Sequence, residues 1–104
     1  MKEEELQKAI ESFLENPFWA TYYDAAPSGA KEVIALEFYM SSRETAQDDA
    51  EALPVLDEVR ANLDAEDLGY LAAHSPSPYE RAFYRRQLTL RGEMGKIAAY
   101  VRFN

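Results

Sequence analysis

The chain has 104 residues, 47% hydrophobic, 12% aromatic and 29% charged, with no cysteine and a formal net charge of −8. That balance fits one small globular domain and excludes a disordered tract or low-complexity filament. The missing thiols exclude a disulfide framework, a thiolate metal site and a cysteine nucleophile. The acidic excess argues against a molecule that coats nucleic acid or an anionic membrane. No window approaches the roughly 18 apolar residues of a membrane span. The acidic start, residues 1–6, lacks the apolar run of a signal peptide. The expectation is a soluble cytoplasmic protein.

Leu6, Ile10 and Phe13 recur at i, i+4 and i+7 behind Glu3, Glu4 and Glu5, whose charges suit the positive end of a helix dipole. The spacing predicts a helix over 3–15. Asn16-Pro17 reads as an N-cap followed by proline at the first helical position. The helix it opens, 17–26, carries Phe18, Trp19, Tyr22 and Tyr23 and is broken by Pro27-Ser28-Gly29. Ser28 is the expected cap of a third helix, 30–43. There Ile34, Leu36, Phe38 and Met40 also alternate as a strand would. Helix is favoured, because Ala, Glu, Leu and Met are good helix formers and no second strand is on hand to pair with it.

Residues 44–51 are polar and acidic, and 45–52 read as a loop or a short helix. Pro54 suits an early position of the next helix, whose apolar face is Leu53, Leu56, Val59 and Leu63. Asp64 reads as the N-cap of a helix over 65–74, with Glu66 and Asp67 in its first turn, ended by Ser75-Pro76. Ser77-Pro78-Tyr79-Glu80 then combines an N-cap serine, a first-position proline and a glutamate at the third position, a capping box. Beyond it Phe83, Leu90 and Ile97 repeat every seven residues, as do Gln87, Met94 and Val101. This seam predicts one long helix over 78–102; a break at Gly92, or more weakly a terminal hairpin, is the alternative. The fold class expected is all-α, a small single-domain bundle of five or six helices with a long C-terminal helix. Its core is expected on Leu6, Ile10, Phe13, Trp19, Tyr22, Ile34, Phe38, Leu56, Leu63, Leu71, Phe83, Leu90 and Ile97. Asn16-Pro17-Phe18 echoes Ser77-Pro78-Tyr79 in sequence, which repeated helix-start chemistry explains better than duplication.

Charge is unevenly spread: residues 77–104 hold six basic and two acidic residues, and residues 1–76 five and seventeen. Two candidate interaction faces follow. One is acidic, Glu44, Asp48, Glu51, Asp57, Glu58 and Asp64, suited to a basic partner. The other is basic, Arg81, Arg85 and Arg86, suited to an acidic one. A solvated face, or pairing of the two within the chain, is the plainer reading of each. Phe18, Trp19, Tyr22 and Tyr23 form a candidate aromatic patch if Trp19 is exposed and otherwise belong to the core.

The segment 67–86 resembles a helix-turn-helix in layout, with the three arginines near the start of the second helix. The acidic preceding helix and two prolines in the turn weigh against nucleic acid. Metal binding lacks support, since 48–51 has neither the spacing nor the glycine of a calcium loop and Leu71 stands three before the sole histidine, His74. No cofactor is expected. Four scattered glycines make no phosphate loop, and no nucleophile–base pair stands out. The function expected is that of a small acidic, non-enzymatic interaction or regulatory protein that binds another protein through a helical surface. A homodimer is one option, and no membrane partner is expected. A DNA-binding module on the basic helix is the alternative, and a carboxylate-dependent hydrolase a weaker one.

Overall fold

The computed structural model describes residues 2–42 and 46–92. The fold is all-α: among the described residues there are six helices and no strand. They are α1 (Glu3–Leu14), α2 (Pro17–Asp24), α3 (Ser28–Ser41), α4 (Ala46–Ala61), α5 (Ala65–His74) and α6 (Pro78–Leu90). The chain divides into two compact units, the first ending at Asn62 and the second beginning at Leu63.

In the first unit α3 is central, packed against α1, α2 and α4. Val33, Ile34, Ala35, Leu36, Phe38 and Tyr39 are all buried, so the helix is covered on nearly every side. This explains its strand-like alternation: a helix surrounded by neighbours has no polar face to betray a 3.6-residue period. Small residues let the flanking helices come close, since Ala9 of α1 and Ala52 of α4 close over the ring of Tyr39. Phe13 stacks on Phe38 with ring centroids 4.4 Å apart, and Trp19 meets both edge-on at 6.0 and 5.7 Å.

The helix starts follow local chemistry. Asn16 caps α2 by accepting from the Phe18 N–H at 2.9 Å. The serine expected to cap α3 is instead its first residue; Pro27 precedes it, its carbonyl accepting from the Lys31 N–H at 2.8 Å. Helix α4 resolves the ambiguity over 45–52 in favour of helix from Ala46 on. Pro54 is therefore inside α4 rather than near its start. Leu53, assigned to the apolar face, is 43% exposed, and Ala52 and Leu56 form the buried side.

The second unit packs α5 against α6. Asp64 caps α5 as expected, and it is here that the reciprocal capping box forms: Asp64 accepts from the Asp67 N–H at 2.8 Å and Asp67 accepts from the Asp64 N–H at 3.2 Å. Ser77 accepts from the Glu80 N–H at the longer distance of 3.5 Å. Continuity of one helix over 78–102 is not what the backbone shows. Helix α6 ends at Leu90, Arg91 caps it, and Gly92 takes φ +72°, the left-handed conformation that glycine reaches without strain. The break at Gly92 is the outcome, and Met94, Ile97 and Val101 lie outside the described residues.

Candidate interaction surfaces

The interior of the second unit sets which way α6 turns. Tyr84 and Leu88 are fully buried, opposite the buried Leu68, Tyr70, Leu71 and Ala72 of α5. Two arginines fasten the unit. The Arg81 guanidinium donates to the Ser75 carbonyl at 2.6 Å and to the Pro76 carbonyl at 3.2 Å, gripping the turn that joins the helices. That of Arg91 donates to the Leu63 carbonyl. Of the predicted basic face, Arg81 is thus turned onto its own chain, and Arg85 and Arg86 are exposed.

With Tyr84 and Leu88 inward, the heptad positions Phe83 and Leu90 turn away from α5. Both were expected in the core; they are 43% and 69% exposed, and Tyr79 is 86% exposed. Tyr79, Phe83, Arg86 and Leu90 advance by four, three and four residues, which keeps them on one side of the helix. The outer side of α6 is therefore an apolar stripe interrupted by one guanidinium. A seven-residue count anchored on Phe83 could not find it, because it assumed that the recurring apolar residues faced inward. The pair Tyr84 and Leu88, four residues apart, marks the inward side.

The acidic candidates fall in both units. Glu51, Asp57 and Glu58 are exposed on α4. Asp64 belongs to the second unit, where its carboxylate caps α5. Glu44 and the side chain of Asp48 lie outside the described residues. On the inner edge of α4, Arg60 pairs with Glu37 of α3 at 3.6 Å.

The aromatic candidates divide as well. Tyr22 is buried, Trp19 and Tyr23 are half-buried, and Phe18 is 59% exposed with its ring edge-on to Trp19 at 4.9 Å. Trp19 is thus part of the core margin and only Phe18 reaches outward. A groove that the sequence did not signal lies in the first unit. It holds about 320 Å³ and is lined by Leu6, Tyr23, Lys31, Glu32, Ala35, Leu36, Val55 and Val59, with the Lys31 ammonium 5.6 Å from the centre of the Tyr23 ring.

His74, the last residue of α5, is exposed with its ring 4.8 Å from that of Tyr70. Among the described residues no three histidine, aspartate or glutamate side chains gather as a metal site would require, and no helix is long and apolar enough to cross a membrane. Burial raises the Tyr70 phenol above its ordinary value of 10. No family model matches the chain, and neither a curated protein nor a solved structure matches it.

Proposed function

We propose that the chain is a small non-enzymatic interaction protein that binds a protein partner through the outer side of α6. The observation that carries this reading is the exposure of Tyr79 and Leu90 at the two ends of one side of a helix that buries Tyr84 and Leu88 on another. Tyr79 and Leu90 are held outward on a helix already anchored by Tyr84 and Leu88. Aromatic residues and arginine together are the composition of interface hot spots, where a ring supplies area and a guanidinium supplies direction. Arg81 and Arg91 hold the helix to its own unit, so the surface is preformed and little ordering is needed on binding.

The test is a photo-crosslinking side chain placed in the full-length chain at Tyr79 or at Leu90, used in cells. The expected result is a crosslink to a defined protein that disappears when Phe83→Asp is added, with the helical circular dichroism of the chain unchanged. Equal crosslinking from Gln7, exposed on α1, or persistence of the crosslink in the Phe83→Asp chain, contradicts the proposal.

A further inference from the structure

We infer that the groove of the first unit binds a small alkanoate, with the alkyl chain along its aliphatic walls and the carboxylate at the Lys31 ammonium. The site lies within one compact unit and does not rest on the α6 surface. Its volume of about 320 Å³ falls in the range of small-molecule sites, roughly 300–1,000 Å³. Leu6 of α1, Ala35 and Leu36 of α3, and Val55 and Val59 of α4 make the walls aliphatic. Polarity is gathered at one end. Lys31 stands one helical turn before Ala35, and Glu32 one turn before Leu36, so along α3 the charged pair precedes the apolar pair. Apolar walls with charge at one end suit a ligand built the same way, an alkyl chain carrying a single polar head.

The surroundings of Lys31 decide the charge of that head. Lys31 is half-buried, and its ammonium lies 5.6 Å from the centre of the Tyr23 ring, itself part of the lining. Among the described residues no carboxylate pairs with this ammonium, although the chain holds 19 acidic residues. A ring attracts a cation without neutralising it, so the charge is still open to an anion. Glu32, which would receive a cationic head, is exposed. Water screens an exposed carboxylate more than a half-buried ammonium, and the anion gains more at Lys31 than a cation gains at Glu32. Residues 1–62 carry five basic and fourteen acidic residues, and this surplus opposes an anion at a distance. That opposition is screened over about 8 Å at physiological salt, while the direct contact at Lys31 is not.

The experiment is an amide NMR titration of the full chain at about 150 mM salt with octanoate, octan-1-ol and octylammonium, which share a tail and differ in the head. The inference predicts saturable shifts at Leu6, Ala35 and Val59, with octanoate tightest and octylammonium weakest. Octanoate should lead octanol by about three- to fivefold, the worth of one partly exposed ion pair. Lys31→Met should abolish that lead and leave octanol binding unchanged. Val55→Trp, which sets an indole into the groove from a position 37% exposed, should weaken all of the ligands. The order of heads on the unaltered chain does not depend on either variant folding. Octanol or octylammonium binding as tightly as octanoate overturns the inference, as does an octanoate affinity unmoved by Lys31→Met. So does the absence of saturable shifts at the groove, or octanoate binding that survives Val55→Trp intact.

Discussion

The carboxylate of Asp64 answers the Asp67 N–H while that of Asp67 answers the Asp64 N–H, and Asp67 is buried in doing so. Two N–H groups at the start of α5 are thereby satisfied where water has little access. Asp64→Ala should lower stability by about 1–2 kcal/mol in urea unfolding, and a loss below the error of that measurement would contradict the capping role. The start of α5 was legible from Asp64 because capping is a contact between residues three apart. Arg81 was not legible in the same way. Its sequence neighbours suggest an outward charge, and only the fold of the 75–77 turn shows that two carbonyls stand in its path. Tyr70 gives a residue-level test in pH. Its phenol is held neutral by burial, so folded and unfolded chains bind this proton equally below about pH 10, and above it the unfolded chain releases the proton first. The contribution of Tyr70 is thus fully present below about pH 10 and is lost as pH rises through the elevated folded value. Tyr70→Phe should flatten part of the alkaline fall in stability; an unchanged fall would show that Tyr70 does not contribute to it.

At the scale of the element, α4 and α6 show where pattern reading fails. A proline is a good marker of a helix start, yet Pro54 is the ninth residue of α4, where it leaves the Ala50 carbonyl without its intrahelical donor. Ala50 is exposed, so water can meet that carbonyl. Pro54→Ala restores the bond, and urea unfolding should show a gain of roughly 1–3 kcal/mol; a loss would mean that the ring itself is packed in the fold. In α6 the seven-residue repeat was read as one helix, but the helix ends at Leu90, and the repeat's later positions lie outside the described residues. The stop signal was present as Gly92, directly after the C-cap Arg91, and the periodicity outweighed it, leaving the break as the alternative. The stripe on the outer side of α6 was likewise present as residues, with its inward and outward sides exchanged.

On the scale of the whole chain, the all-α class was legible from capping and composition because both act over a few residues. The division at Asn62 was not, since only Asn62 and Leu63 stand between α4 and the cap of α5, and no proline- or glycine-rich linker marks the place. The groove beside Lys31 was invisible for a related reason: it is lined from four helices whose order in sequence does not reveal their convergence. The central claim is that α6 has an inward side at Tyr84 and Leu88 and an outward side at Tyr79, Phe83 and Leu90. Urea unfolding of Leu88→Ala beside Phe83→Ala tests it most directly. The account predicts a loss of about 2–4 kcal/mol for Leu88→Ala and of no more than about 1 kcal/mol for Phe83→Ala. A loss of about 3 kcal/mol or more for Phe83→Ala with little effect of Leu88→Ala would reverse the two sides of the helix and contradict the account.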